Sequence, residues 1–281
     1  MKELMPVLLG VPTTGGTPDA VRPVVANRLV VITGASRGIG REMAERLAAT
    51  DARVVGIARS QDDLLAVGAR IAARGGVFHP IAGDLRDLDW AGETGRRIVA
   101  EFGPPEVLIS NAGHSIHRPL AAYTDRFHDI SRTTGVNYLG AVALALPVLA
   151  AMMGAGRGHL LSVSTTSLDL PLPGWSAYTA SKAAYDSWLA CVAPELRRAG
   201  IAVTSVHLPR VATAMSAPTA GHYPLPELSP EQAADVLCRA VARRPRYLVP
   251  WYARLGAATK GAAPGLVQSA WERLLALGVR P

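Results

Sequence analysis

The fold is decided by one stretch near the N-terminus, which reads Leu29-Val30-Val31-Ile32-Thr33-Gly34-Ala35-Ser36-Arg37-Gly38-Ile39-Gly40. Its first four residues form a short apolar run, which is typical of a parallel strand buried on both faces. The three glycines permit a sharp turn and let a phosphate approach the N-terminus of a following helix, where unpaired N–H groups favour negative charge. The stretch therefore predicts a strand, a phosphate-binding turn and a helix in succession.

Strand and helix patterns alternate along the rest of the chain. Short apolar runs predict further strands at 53–58, 77–82, 107–110, 159–163 and 202–206. Helical composition lies between them, notably at 136–153 and 177–198. This alternation predicts one α/β domain, a doubly wound Rossmann-like parallel sheet with helices on both faces and ligands at the carboxyl ends of its strands.

Changes in composition mark the ends of this domain, which we place at residues 28–250. Residues 1–27 are rich in Pro, Gly, Thr and Val without periodicity, and they predict a flexible or loosely docked arm. A cluster of Pro218, Pro224, Pro226 and Pro230 marks a loop that leads into a helix predicted at 230–243. Residues 251–281 form a basic, apolar C-terminal extension.

The overall composition excludes several classes of protein. Apolar residues make up 49% of the 281 residues, enough for a substantial core. Cys191 and Cys238 show no disulfide or metal-ligand pattern, so we expect no metal site and interpret both as buried thiols in a reducing cytoplasm. The N-terminus lacks a convincing secretory signal, and the uncharged stretch 136–156, rich in alanine and containing Pro147, is interpreted as a buried core helix rather than a membrane span.

The net charge of +7 is confined to the C-terminal part of the chain. Residues 239–281 hold eight basic residues against Glu272 alone, and the rest of the chain balances at 21 basic and 21 acidic residues. This distribution argues against nucleic-acid binding through a basic core. It favours a local partner, such as a membrane surface or a phosphate-bearing substrate.

The ends of the predicted strands indicate a dinucleotide site that takes NADP(H). Strand 53–58 ends in Ala58-Arg59-Ser60 and so lacks the carboxylate that would bind the ribose of NAD and repel a 2′-phosphate. Arg37 and Arg59 can hold that phosphate by charge-assisted hydrogen bonds, although both arginines can also be merely solvated. Gly83-Asp84-Leu85 and Asn111-Ala112-Gly113 follow the next two strands, and their shared location supports the same site, although either alone would pass for an ordinary turn.

Tyr178 and Lys182 are the candidate catalytic pair. They lie four residues apart in a predicted helix and therefore share one of its faces. A free phenol has a pKa of about 10, which is too high for an efficient base near neutrality, but a nearby ammonium favours the phenolate. The pair can then move a proton to or from a carbonyl oxygen while a nicotinamide moves hydride.

With these motifs at these positions, the chain resembles the short-chain dehydrogenase/reductase family over about residues 28–250. The resemblance implies that Asp84 contacts adenine, that Asn137 supports a proton-relay water to the lysine, and that Thr165 holds the substrate oxygen. Ser164 is the alternative to Thr165. The side chains of Asn137, Ser164 and Thr165 can also merely form local backbone bonds. The resemblance further implies a homo-oligomer and cofactor contacts from Gly34, Ser36, Arg37, Gly38, Ile39, Gly40, Arg59, Ser60, Asp84, Leu85, Asn111, Ala112, Gly113, Tyr178, Lys182, Pro209, Val211 and Thr213.

A narrower likeness points to the reductase domain of bacterial fatty acyl-CoA reductases. It is carried by residues 112–119, 125–129, 207–219 and 229–234. The chain departs from that subgroup at His114 and His117, where arginines are usual, and from the wider family at Arg210, where glycine follows the proline. These departures bear on the substrate more than on the fold, and the two histidines can form a substrate wall or lie in solvent.

The sequence therefore predicts an NADP(H)-dependent enzyme that reduces an acyl-CoA, a fatty aldehyde or a similar lipophilic carbonyl. The alternative is a dehydrogenase of secondary alcohols or ketones in specialised metabolism. A third reading is a cofactor-binding regulator without turnover, because the same fold can lose its chemistry. The extension, with Trp251, Tyr252 and Trp271 beside basic residues, is predicted to cover a greasy substrate or contact a membrane, or equally to pack subunits together.

Overall fold

The structure is a computed structural model that describes residues 17–219 and 227–277. Seven strands are present in these ranges: β1 (Leu29–Thr33), β2 (Arg53–Ala58), β3 (Val77–Ala82), β4 (Val107–Ser110), β5 (Gly158–Thr165), β6 (Ile201–Leu208) and β7 (Tyr247–Leu248). The α-helices in the same ranges are α1 (Pro18–Val25), α2 (Gly38–Ala48), α3 (Gln61–Ala72), α4 (Leu88–Phe102), α5 (Phe127–Thr134), α6 (Gly140–Ala155), α7 (Ser176–Arg198), α8 (Pro230–Arg243), α9 (Trp251–Ala262) and α10 (Pro264–Ala276).

The strands form a single parallel sheet in the order β3-β2-β1-β4-β5-β6-β7. The chain order reverses between β1 and β4, which is the point at which a doubly wound sheet opens a crevice for ligands. The predicted fold class is therefore confirmed. Six strands lie where the apolar runs predict them, whereas β7, at two residues, is too short to give a sequence pattern.

Each face of the sheet carries its own apolar core. On one face, side chains of α1, α2, α3 and α8 pack against the sheet, with Val25, Met43, Leu64 and Leu237 fully buried. On the other face, α4, α6 and α7 do the same. Burial of both faces explains why β1 and β4 are apolar at nearly every position.

Two parts of the chain are more firmly docked than the sequence predicts. Val21 and Val25 of α1 are fully buried in the core, so the expectation of a loose arm is wrong for residues 18–25, while residues 1–16 lie outside the described part. In the extension, Ala253 and Gly256 of α9 are buried and Tyr252 packs against the core. Residues 251–262 are therefore part of the domain's packing.

Other expectations need smaller corrections. Cys238 is buried as predicted, but Cys191 is exposed on α7. The loop predicted from four prolines includes Pro224 and Pro226, which lie outside the described residues, and α8 begins at Pro230 as expected. A capping box between Ser229 and Gln232 fixes that helix start.

The helical segment before β5 begins earlier than the sequence predicts. It runs from Phe127 to Ala155 and is long and apolar enough, by length and composition alone, to cross a membrane. A π-helical turn at Gly135–Leu139 interrupts it, and the α6 part buries Leu144, Val148 and Met152 against the sheet. This inner face is the core helix predicted from the sequence. The π turn matters because it carries Asn137.

Candidate active site

The β1–α2 turn has the backbone geometry of a phosphate-binding turn. Gly34 and Gly38 have φ values of +70° and +54°, which L side chains rarely adopt. A Cβ at Gly40 would lie 2.2 Å from the carbonyl oxygen of Gly34, so a side chain there is excluded. Arg37 stands at the N-cap of α2 without a side-chain cap, which leaves the first N–H groups of that helix for an anion.

The loop after β4 is locked against this turn. The Thr33 hydroxyl accepts hydrogen bonds from the backbone N–H groups of Asn111 and Ala112 at 3.0 and 2.9 Å, and Asn111 Nδ2 donates to the Thr33 carbonyl at 2.9 Å. A Cβ at Gly34 would lie 3.0 Å from the Cα of Ala112. Thr33 is not among the residues predicted for the site, although a hydroxyl residue directly before Gly34 at a strand end is a usable signal.

The residues predicted to select the cofactor lie at the same edge of the sheet. Arg37 and Arg59 are both exposed there, at the ends of β1 and β2. Arg86 hydrogen-bonds Asp84 and, with a smaller effect from Arg59, lowers the pKa of that carboxyl. Ser60 accepts a hydrogen bond from the N–H of Asp63 and so caps α3. In this structure the Ser60 side chain therefore caps a helix, and its cofactor contact stays a prediction.

The remaining predicted cofactor residues border the turn. The segment after β6 brings Thr213 to 3.2 Å from a Cβ placed at Gly38, and Val211 pairs with Leu228. Pro209 directly follows β6, and Leu85 is buried after β3. Ser36 and Ile39 are half-buried in the turn and in the first residues of α2.

Lys182 is buried in α7 and turned inward. Its ammonium donates a hydrogen bond to the Val163 carbonyl at 2.8 Å. A Cβ at Gly113 would lie 3.6 Å from Lys182 Nζ and 3.2 Å from Asn137 Oδ1, so this glycine lets the β4 loop pass close to both side chains. Burial lowers the pKa of Lys182 to about 8, against the opposing effect of the Asp186 charge.

Asn137 is fully engaged by the protein. Its Oδ1 accepts from the N–H of His114 at 2.8 Å, and its Nδ2 donates to the His114 carbonyl at 3.0 Å and to Ser181 Oγ at 2.8 Å. The side chain therefore ties the β4 loop to α7 beside Lys182. Its partners lie 23 and 44 residues away in sequence, so they are not the local backbone bonds of the alternative, and the proton-relay water stays a prediction.

Tyr178 meets Thr165 rather than Ser164. The Thr165 hydroxyl hydrogen-bonds the Tyr178 side chain, whereas the buried Ser164 Oγ has no hydrogen-bond partner among the described residues. Burial raises the pKa of Tyr178, and the hydrogen bond from Thr165 opposes this only in part. The net effect is a raised pKa, so the phenol keeps its proton at neutral pH, and the expected effect of the Lys182 charge on the phenolate stays a prediction.

The two histidines of the β4 loop have different surroundings. Burial lowers the pKa of His114, with help from the positive charges of Arg132, Arg59 and Arg86, so His114 is neutral at pH 7. The ring of His117 lies 4.1 Å from that of Trp175, centroid to centroid. His117 therefore belongs to an aromatic contact between the β4 loop and the segment before α7, and the solvated alternative does not describe it.

Fold and site together define a nicotinamide-dependent oxidoreductase with a tyrosine and a lysine on one helix. The chain belongs to the short-chain dehydrogenase/reductase family, since residues 28–223 match the short chain dehydrogenase family. It is 38% identical to a fatty acyl-CoA reductase of Acinetobacter baylyi over 87% of this chain and 83% of that protein. It is 35% identical to a fatty acyl-CoA reductase of Mycobacterium tuberculosis over 82% of this chain and 79% of that protein.

Solved structures of the family superpose on the chain. A metagenomic short-chain oxidoreductase in complex with NADP is similar with a TM-score of 0.70 and 28% identity, over 80% of this chain and 97% of that one. A 3-oxoacyl-(acyl-carrier-protein) reductase from Agrobacterium tumefaciens, with NADP bound, shares the fold with a TM-score of 0.72 at 24% identity, over 82% of this chain and 95% of that one.

We predict that Gly40→Ala damages the cofactor turn. Because the added methyl group would overlap the Gly34 carbonyl, the turn must shift, and we expect a loss of stability of about 1–3 kcal/mol with weaker cofactor binding. Chemical denaturation and a fluorescence titration with the cofactor measure the two effects.

Gly261→Ala is the matched control, because a Cβ at this helical glycine meets nothing within 4 Å. It should leave binding unchanged and stability equal or slightly improved. Equal cofactor affinity for the two variants would show that the close approach at Gly40 has no role in binding.

Proposed function

We propose that the protein is an NADPH-dependent reductase of a lipophilic carbonyl compound, an acyl-CoA, a fatty aldehyde or a similar substrate. One observation carries the proposal: neighbouring residues Ala112 and Gly113 contact Gly34 of the glycine turn and Lys182 of the catalytic helix, respectively. A dinucleotide whose phosphates lie on the turn would therefore run along the β4 loop toward Tyr178 and Lys182. The cofactor, when bound, would supply the hydride.

The side chains supply the proton and the orientation. Thr165, already hydrogen-bonded to Tyr178, would hold the carbonyl oxygen beside the phenol. Tyr178 would donate its proton to that oxygen as hydride reaches the carbon, and burial suits this role because it keeps the phenol protonated. The Lys182 ammonium would stabilise the phenolate that remains.

The choice of substrate class is supported by the two fatty acyl-CoA reductases to which the chain is similar. The aromatic contact between His117 and Trp175 adds an apolar element close to Tyr178, which suits a lipophilic substrate. The alternative of a secondary alcohol or ketone dehydrogenase needs the same Tyr178 and Lys182. The regulator without turnover is disfavoured because both residues are present on one face of α7, with Lys182 buried.

We expect Tyr178→Phe to lower kcat by about 10²–10⁴-fold, because it removes the proton donor, while NADPH binding stays within about twofold. NADPH oxidation with a panel of acyl-CoAs, aldehydes and cyclic ketones measures the first effect and tests the substrate class. Turnover of ketones alone would favour the alternative enzyme, and no turnover of any carbonyl would contradict the proposal.

Tyr185→Phe is the control for this experiment. Tyr185 is a buried tyrosine on the same helix α7, and its ring stacks on Trp188 in the apolar core. It should keep full activity. A Tyr178→Phe enzyme as active as this control would exclude the phenol as the proton donor.

The preference for NADPH should depend on Arg59. Because a hydrogen bond to a charged group contributes about 1.5–3 kcal/mol, Arg59→Ala should raise the KM for NADPH about 10- to 100-fold and leave that for NADH nearly unchanged. Arg53→Ala is the matched control for Arg59→Ala, because Arg53 is exposed at the opposite end of the same strand β2. Equal catalytic efficiency of the unmodified protein with NADH and NADPH would refute the cofactor choice.

We further propose a homo-oligomer in the cytoplasm. Leu139, Leu146 and Met153 are exposed at seven-residue spacing on one side of the α6 segment, a pattern that suits packing against a second copy. Free thiols at Cys191 and Cys238 suit a reducing compartment. A monomer in sedimentation equilibrium would contradict the homo-oligomer. Recovery of the protein in a secreted fraction would contradict the cytoplasmic location.

The apolar surface of α9 and α10 is proposed to contact an anionic membrane. In the described chain α10 has no buried residue, and Leu266 and Leu277 are 71% and 81% exposed. Arg254 and Arg273 are exposed on the same two helices, so the surface is both apolar and basic. α9 also packs on Leu170, close to Thr165, which would place the site near the lipid.

We predict that removing residues 264–281 abolishes binding to vesicles of phosphatidylglycerol and phosphatidylcholine, because it removes the exposed leucines. The shortened chain ends just before α10 and therefore keeps Gly256 of α9, which packs on Leu170. Vesicle sedimentation at low and high salt measures the effect. A truncated protein that binds equally well contradicts the membrane contact, and one that instead changes its oligomeric state shows that α10 packs subunits.

A further inference from the structure

A cluster of buried and half-buried polar side chains begins one helical turn after Lys182. Asp186 follows Lys182 by one helical turn and so lies on the same side of α7. Its carboxylate accepts a hydrogen bond from Ser205 Oγ at 2.5 Å and lies 3.5 Å from His207 Nε2. Ser205 and His207 are two residues apart on β6, so both side chains point to the same face of the sheet, the one that α7 covers.

The cluster continues from His207 to the segment that follows Thr165. His207 Nδ1 lies 2.7 Å from Asp169 Oδ2, and both residues are at least nine-tenths buried. Asp169 comes four residues after Thr165. The buried cluster therefore connects the helix that carries Lys182 to the strand end that carries Thr165.

The charges in this cluster alternate in sign. Burial alone would lower the pKa of His207, but hydrogen bonds and charges from Asp169 and Asp186 outweigh it and raise that pKa to about 9. Burial would raise the pKa of Asp186, but His207, Ser205 and Lys182 together lower it. At neutral pH the order is thus Lys182 positive, Asp186 negative, His207 positive and Asp169 negative. Each buried charge has a partner of opposite sign, as burial requires.

Other groups face the cluster without breaking this order. Ser164 of β5 is the register partner of His207, and the Tyr247 ring of β7 meets the His207 ring edge-on at 6.3 Å. Near Asp169, Lys260 of α9 donates to the Leu168 carbonyl, and Tyr252 of α9 is a neutral phenol whose pKa is raised by burial and by the Asp169 charge.

We propose that Asp186, held by Ser205 and His207 one helical turn after Lys182, is a positioning residue whose charge keeps Lys182 in its ammonium form. The proposal rests on the proposed oxidoreductase function, in which that ammonium stabilises the phenolate. Lys182 sits in surroundings that disfavour its charge, and Asp186 is the anion that opposes them. The hydrogen-bond and ion-pair partners of the Asp186 side chain in the described chain are Ser205 and His207, so its effect on the reaction would pass through the lysine.

Asp186→Asn should lower the titration midpoint of Lys182 by about one pH unit or more, because an adjacent opposite charge shifts a pKa by about 1–3 units. Lysine labelled with ¹³C at Cε reports this midpoint directly by NMR. The chain has three lysines, Lys2, Lys182 and Lys260, so their signals can be assigned with Lys2→Arg and Lys260→Arg variants. The alkaline limb of kcat should move to lower pH by the same amount, with kcat at pH 6 within about twofold.

Three variants complete the experiment. Asp186→Glu restores the carboxylate and should return the midpoint most of the way. Ser205→Ala keeps the charge but removes one hydrogen bond to it, and should give a smaller shift in the same direction. His159→Gln is the control: His159 is a fully buried histidine of β5 that bonds Thr204 at the far end of the strand, and its loss should leave the midpoint unmoved.

The change of protein stability with pH reports the charge state of His207. Its folded pKa is raised above the ordinary value, so its stabilising effect is complete below about pH 6.5 and is lost as pH rises through about 9. The difference in Tm between the unmodified protein and His207→Gln should therefore shrink over that interval. A constant difference would remove His207 from the charged cluster.

The outcomes separate this inference from the proposed function. A Lys182 midpoint that stays unchanged in Asp186→Asn overturns the inference, whatever the enzyme reduces. A shifted midpoint in a protein that turns over no carbonyl supports the tie between Asp186 and Lys182 and contradicts the function. A shifted midpoint together with a shifted alkaline limb supports both.

Discussion

The site depends on the close approach of three backbone segments that are distant in sequence. Gly34, at the end of β1, lies against Ala112, and the next residue, Gly113, lies against Lys182 and Asn137. Thr33 fixes this arrangement because one hydroxyl accepts two backbone N–H groups of the β4 loop. Larger side chains at these points would separate the glycine turn from the catalytic helix.

The sheet topology makes this approach possible. β1 and β4 are neighbours at the point where the chain order reverses, so their carboxyl ends open one crevice. α7 reaches the same crevice because it precedes β6 and packs on the face covered by α4 and α6. The glycine turn presents backbone N–H groups, whereas α7 contributes side chains, and the β4 loop lies against both.

Burial adjusts the two catalytic groups in opposite directions. It raises the pKa of Tyr178 and lowers that of Lys182 to about 8, so the acid becomes weaker and the cation less firmly protonated. Both shifts make it harder for the phenol to give up its proton, so a phenolate can be stabilised here only if the lysine keeps its charge near neutrality. Asp186 opposes its loss, and the neighbouring His207 and Asp169 keep the whole cluster close to neutral.

The parallel sheet, the position of six of its seven strands and the spacing of Tyr178 and Lys182 on one helix could be predicted from the sequence. These depend on local patterns: apolar runs, glycines at fixed spacing and two residues one helical turn apart. Only the tertiary structure decided that residues 18–25 join the core, that Thr165 rather than Ser164 meets Tyr178, and that Asp169 and His207 stand behind Asp186. Burial and the pairing of buried charges join segments from tens to about two hundred residues apart, so no local pattern shows which of them will touch.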